Sequence, residues 1–140
     1  MKLIITNSNE NANSSSTVVA NLLELNSSCL DAEATEIVVD NFLHSFPLKD
    51  VAGVVHKILS KLRIGGSVTF IEVEFELLAD SLSKGEILLE DMNDLAIDGK
   101  YVRSFISLGF LESILSKYGL KITEKSIHNK SLFILKGTRC

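Results

Sequence analysis

The sequence predicts an α/β fold, a mostly parallel sheet with right-handed crossovers between its early strands and an antiparallel hairpin at its end. Three observations predict it. Short apolar runs, Leu3–Thr6 and 36–40 with Ile37, Val38 and Val39 at its centre, are each bounded by polar residues. Two later stretches carry apolar residues at three- and four-residue steps, the mark of helices with one buried face. The chain then closes on two apolar runs separated by His128, Asn129 and Lys130, a hairpin pattern.

Taken in order, Leu3–Thr6 reads as a short buried strand. Residues 7–16 follow, dominated by Asn and Ser, which compete with the backbone for hydrogen bonds and favour loops and caps. Thr17–Leu25 fits either a strand or a short helix, broken by Asn26, Ser27 and Ser28. Residues 30–36 read as a helical turn or loop, and the next strand as 36–40, where side-by-side β-branched residues favour extended structure. Pro47 suits the first turn of a helix. From Leu48 onward Val51, Val54, Val55, Ile58, Leu59 and Leu62 trace its buried face, and Gly65–Gly66 is expected to stop it. Ser67–Phe75 alternates as a strand. Leu77–Leu95 has helical spacing around Gly85, and Asp98–Gly99 signals a turn. Leu108, Leu111, Ile114, Leu115 and Tyr118 share one face of a second amphipathic helix that Gly119 closes. The hairpin strands are Leu120–Ile127 and Ser131–Lys136.

Composition bounds the function. The chain has 140 residues, 46% hydrophobic and 23% charged, which suits one globular domain over 1–140 with a core of its own. Fourteen basic residues stand against 18 acidic ones, a net charge of −4. That balance lacks the basic footprint of a nucleic-acid binder. The first apolar run is too short for a signal core or a membrane span, so a cytoplasmic protein without a membrane partner is expected. Cys29 and Cys140 make no disulfide framework. The three histidines, His44, His56 and His128, have no metal-ligand spacing, so no metal is expected. Glu72, Glu74 and Glu76 alternate, which would place them on one face of a strand. Three such carboxylates suit a metal or a basic partner, or else a solvent-facing strand end, or a strand that bends after Val73.

From Ile37 onward the order of residues resembles class I S-adenosylmethionine-dependent methyltransferases of the small, phage- and polysaccharide-associated kind. Leu43-His44-Ser45-Phe46 stands where that family often has Leu-Glu-His-Phe, and Arg63-Ile64-Gly65-Gly66 where it often has Lys-Pro-Gly-Gly. Residues 74–100, 110–122 and 131–139 resemble its acidic insert, its late helix and turn, and its last strand. The resemblance implies a shortened Rossmann-like methyltransferase sheet. The departure lies at the start. The family's first strand runs into a glycine-rich loop, because the backbone there must approach the cofactor closely. Here Thr6 is followed by Asn7, Ser8, Asn9, Glu10 and Asn11, and no glycine occurs before Gly53. The family's ribose-binding acid has Glu24 as its nearest counterpart.

The resemblance implies S-adenosylmethionine at the carboxyl edge of the sheet, with Thr6, Asn7, Ser8 and Asn9 over its methionine end and Asp40 and Asn41 beside the reaction. His44 is the candidate catalytic residue, orienting an acceptor hydroxyl or taking its proton, with a packing role at the helix entrance as the plainer alternative. Two functions follow. One is a small methyltransferase acting on a sugar or other small acceptor through a non-standard loop. The other is a non-catalytic relative kept as a binding or assembly module, a pseudoenzyme, in which Phe42, Phe46 and Phe110 serve an oligomer or partner interface or simply the core.

Overall fold

Strand periodicity organises the molecule, whose computed structural model describes residues 1–6, 16–19, 21–93, 103–128 and 132–140. Six strands, β1 (Lys2–Thr6), β2 (Ser16–Val19), β3 (Ala34–Asp40), β4 (Leu62–Val73), β5 (Leu120–His128) and β6 (Leu132–Arg139), form one sheet in the order β2-β1-β3-β4-β6-β5. β2, β1, β3 and β4 are parallel, and β6 runs antiparallel to both β4 and β5. The expected α/β class and terminal hairpin are the observed ones. The turn at 129–131, the Asp98–Gly99 signal and Leu95 lie outside the described residues.

Register turns the alternation into a core. Leu3 pairs with Ile37, Ile37 with Val68 and Val68 with Gly137. One pleat on, Ile5, Val39, Phe70 and Leu135 form the next row. The side chains of both rows are buried on one face. Against that face pack α1 (Leu22–Ser28) through Leu25, α2 (Leu48–Ser60) through Val51, Val54, Val55, Ile58 and Leu59, and α5 (Leu108–Lys117) through Leu111, Ile114 and Leu115. Burying each such side chain stabilises the fold by about 1.5–3 kcal/mol. Phe42 is buried, and Phe46 and Phe110 are half-buried against the same core. Of the two roles open to them, the core one holds for Phe42, and Phe46 and Phe110 pack partly buried against that core.

Several boundaries moved, each for a local reason. Asn26, Ser27 and Ser28 do not break a segment but lie inside α1. Asn21 starts that helix, its Oδ1 accepting the Glu24 N–H at 2.9 Å, a side-chain cap on an otherwise orphaned donor. β3 begins at Ala34, two residues earlier than expected, after a turn in which Ala32 has φ 56°. Gly65 and Gly66 do not stop α2. That helix ends at Ser60, with the Lys61 N–H on the Ile58 carbonyl at 3.1 Å, and Leu62 enters β4 directly opposite Ala34. Residues 63–66 then form a bulge, since the next paired residues are Glu36 and Ser67. Gly65 takes φ 81° there. A Cβ on Gly66 would sit 2.8 Å from Leu62 Cδ1 and 3.0 Å from the Thr35 carbonyl oxygen, so glycine is required for the close approach to β3. β4 ends at Val73, and Phe75 already belongs to α3 (Phe75–Ser83), which precedes the short α4 (Leu89–Asn93). Tyr118 is not on the buried face of α5; it is exposed and lies against His56, ring centroids 5.0 Å apart.

Cys29 is buried and Cys140 exposed, and neither forms a disulfide. Burial pushes the Cys29 thiol up, with the Glu33 charge adding to it. The fold thus favours the neutral thiol. Its contribution is complete below the ordinary thiol range and is lost as pH climbs through the window above it, where the unfolded chain ionises first. Alkylation of the native protein near neutral pH should label Cys140 and spare Cys29 by on the order of 100-fold, until denaturant exposes it. Equal labelling of both thiols in the native state would contradict this burial.

Candidate functional site

Parallel strands deliver their carboxyl ends to one edge, and in open α/β sheets ligands bind there. At that edge Thr6 of β1 pairs with Asp40 of β3, and Asp40 with Ile71 of β4. Thr6 is buried, Asp40 half-buried and Asn41 exposed. Asn41 has φ 52°, and its N–H donates to the Ile71 carbonyl at 2.8 Å. Asparagine tolerates this left-handed conformation better than most residues, and the turn swings the chain off β3. The structure thus brings Thr6, Asp40 and Asn41 together. Asn7, Ser8 and Asn9 lie outside the described residues.

The turn leads into one 3-10 turn, Leu43–Ser45, whose first N–H groups need acceptors. Glu72, 1% exposed, supplies them from the end of β4. Its Oε1 accepts the Phe42 N–H at 2.9 Å and the Leu43 N–H at 2.8 Å. Its Oε2 lies 3.3 Å from His44 Nδ1. His44 keeps 17% of its side chain exposed. The His44 ring thus stands partly exposed at the carboxyl edge. Ser104 Oγ is the one buried unpartnered side-chain polar atom among the described residues.

A second buried carboxylate fastens the neighbouring segment. Glu74 Oε1 accepts the Leu108 N–H and Oε2 the Glu76 N–H, each at 2.7 Å. It thereby ties the start of α5 and the first turn of α3 to the strand end. Hydrogen bonds to a charged acceptor contribute about 1.5–3 kcal/mol each. The segment before α5 also docks on the histidine, for the Arg103 N–H and Ser104 N–H both donate to the His44 carbonyl, at 2.7 and 3.2 Å.

The three alternating glutamates are accordingly redistributed. The strand bends after Val73, as one sequence reading has it. Glu72 and Glu74 are buried rather than solvent-facing, and Glu76 is exposed on α3. They share no face. No group of three or more metal-capable side chains gathers among the described residues, and no helix among them is long and apolar enough to cross a membrane. Glu24, the nearest counterpart of a ribose-binding acid, lies exposed in the first turn of α1. His56 and His128 are exposed; His128 ends β5 at the same edge of the sheet, paired with Leu132 as Val73 is, its Nε2 2.9 Å from Ser126 Oγ.

Sequence reasoning missed Glu72 and Glu74 as site residues. A signal existed: Glu72 is in phase with Val68 and Phe70, the buried positions of β4, and a carboxylate in a buried row needs partners.

No family model matches the sequence, and no curated protein matches it. Solved structures do. An O-methyltransferase family protein from Burkholderia thailandensis superposes with a TM-score of 0.63 at 16% identity, over 89% of this chain and 36% of that one. Magnesium protoporphyrin IX methyltransferase from Synechocystis, with bound SAH, gives 0.57 at 13% identity, over 89% of this chain and 52% of that one. An S-adenosylmethionine-dependent methyltransferase from Mesorhizobium loti gives 0.66 at 14% identity, over 98% and 80%. The chain spans about a third and about half of the first two proteins and most of the third. At these identities the likeness is one of fold, and the fold is that of the S-adenosylmethionine-dependent methyltransferases.

Proposed function

We propose that this chain is a methyltransferase-like protein with altered S-adenosylmethionine binding, in which the methionine end of the cofactor is held and the ribose end is not gripped. One observation carries the reading, the contrast between the two ends of the carboxyl edge. Beside β1 and β3 stand a hydroxyl, a carboxylate and an amide, on Thr6, Asp40 and Asn41. That donor set fits the ammonium and carboxylate of a methionine moiety. At the end of β2, Val19 is followed by Ala20 and Asn21, and the Asn21 oxygen is engaged in capping α1. Among the described residues of that strand, Ser16–Val19, there is no carboxylate to accept from the hydroxyls of a ribose. Bound S-adenosylmethionine would supply an electrophilic methyl group. The protein's own part is to hold its amino-acid end at Asp40 and to present His44 to an acceptor.

The acceptor is then a small molecule or sugar carrying a hydroxyl. Asp40→Ala should remove most of the thermal stabilisation that millimolar S-adenosylhomocysteine gives the wild type. The expected loss is about tenfold or more in affinity, the worth of one charge-assisted hydrogen bond. An undiminished shift in the variant would place the ligand elsewhere.

A second reading, the non-catalytic assembly module, is favoured by the other face of the sheet. Ile4, Val18, Val38, Ile71, Val73, Leu132 and Ile134 point there, half-buried, and none belongs to the core that α1, α2 and α5 cover. Apolar faces of this kind serve as contact surfaces. Under this reading sedimentation shows a stable oligomer that Ile71→Asp disperses, and adenosyl ligands give no thermal shift.

A further inference from the structure

The amino edge of the sheet, opposite the carboxyl edge, carries a charge that the composition hides. Overall the chain is acidic, with a net charge of −4. Two crossovers return the chain to this edge: α2 ends at Ser60 just before Leu62 of β4, and α5 ends at Lys117 just before Leu120 of β5. β6 runs the other way and ends here, with Arg139 opposite Leu120. That topology gathers Lys57, Arg63, Lys117, Lys121 and Arg139, the last half-buried and the others exposed. None of the five has an ion-pair partner among the described residues. The acids of this edge are already engaged. Asp31 pairs with Lys61 at 2.8 Å and Glu36 with Lys2 at 3.6 Å, while Glu33 Oε2 accepts the Leu30 N–H at 2.7 Å. At the carboxyl edge the balance is reversed, with Asp40, Asp50, Glu72, Glu74 and Glu76 against Lys49 and Arg103. The molecule is electrically polar along its strands.

Aliphatic side chains stand among the cations. Ile64, in the bulge of β4 beside Arg63, is 71% exposed, and Leu30 is 73% exposed. The turn after Leu30 is tied to the end of α2, where the Ala32 N–H donates to the Ser60 carbonyl at 2.9 Å. The bulge is held on both sides. Gly66 fits closely against the Thr35 carbonyl, and the Arg139 guanidinium donates to the Leu62 carbonyl. Arg63 and Ile64 are therefore displayed on a fixed backbone.

We propose that this edge docks on an anionic lipid surface, with Ile64 and Leu30 entering the headgroup layer and the five cations lying over its charges. Charge complementarity carries the choice of partner. A basic residue close to an anionic bilayer strengthens binding about fivefold, and aliphatic tips add apolar burial at the interface. The acidic carboxyl edge is repelled by the same surface, so the molecule orients with that edge toward solution and open to dissolved ligands. A nucleic acid fits less well, because strand binders present aromatic platforms for stacked bases. Tyr118, the aromatic side chain beside Lys117, is occupied with the His56 ring. The expectation of no membrane partner rests on the lack of a spanning run, which docking at the surface does not require.

The test is co-sedimentation of the whole chain with phosphatidylcholine vesicles, with and without about 30% phosphatidylglycerol, at about 0.1 M salt. Capture by the anionic vesicles alone is expected, with release as salt is raised. Arg63→Glu combined with Lys121→Glu should weaken capture about tenfold or more. The chain contains no tryptophan, so Ile64→Trp supplies a single fluorescent reporter at the bulge. Its emission should shift to the blue on anionic vesicles, whereas that of Leu48→Trp, at the start of α2 on the carboxyl edge, should not. No capture, equal capture by neutral vesicles, or equal shifts of both reporters overturns the proposal. So does tighter capture by a DNA duplex with the same dependence on Arg63 and Lys121. Should the double variant fail to fold, the lipid dependence of the wild type and the two reporters decide. No adenosyl ligand is present, so failure here is distinct from failure of cofactor binding.

Discussion

Glu72→Ala is expected to destabilise the protein by about 3–5 kcal/mol. Alanine removes the acceptor for two backbone N–H groups at once, those of Phe42 and Leu43. Both residues are buried, so water does not readily replace the carboxylate. Each orphaned buried donor costs about 1–3 kcal/mol. The side chain also leaves a void at the end of β4, between the Phe70 row and the 3-10 turn. Glu72→Gln should cost only about 1 kcal/mol, because its oxygen keeps both caps. Urea unfolding of the two variants checks the contrast. Equal losses would mean that charge, and not acceptor geometry, holds the turn.

Phe70→Ala should cost a similar amount, about 3–5 kcal/mol, by a different mechanism. Phe70 is fully buried in the middle row of the sheet, paired with Val39 on one side and Leu135 on the other. It is flanked by parallel and antiparallel neighbours, so the backbone on either side is fixed by ladder hydrogen bonds and has little room to collapse inward. The loss therefore combines the transfer of a phenyl ring with the cavity it leaves. Phe70→Leu should recover more than half of it. A Phe70→Ala loss below about 1 kcal/mol would show that the row is not the centre of the core.

Most of the sheet was legible in the sequence because its strands are buried on one face and alternate accordingly. Leu3 and Ile5, Ile37 and Val39, and Phe133 and Leu135 all fall on the buried face that periodicity predicts. The long helix α2 was legible for the same reason. What escaped was set by tertiary contacts. α1 is short, carries one buried residue, and ends in Asn26, Ser27 and Ser28, so its composition argues for a loop. Only the Asn21 cap marked it. Gly65–Gly66 looks like a helix stop, but its role is a bulge demanded by the approach of β4 to β3. For the site, Thr6, Asp40 and Asn41 converge because parallel strands end together, which topology implies and spacing alone does not. The His44 partner lies 28 residues away in the chain, and no local pattern links the two.

The central claim, a cofactor held at its methionine end and loose at its ribose, is tested most directly by isothermal titration. S-adenosylhomocysteine is compared with its 2′,3′-dideoxyribose analogue on the wild-type protein. The account predicts that both bind weakly, with Kd on the order of 0.1–1 mM, and within about threefold of one another, since on this reading the diol is not gripped. A loss of tenfold or more on removing the diol would show a ribose grip and contradict the account. So would the absence of heat with either ligand at millimolar concentration.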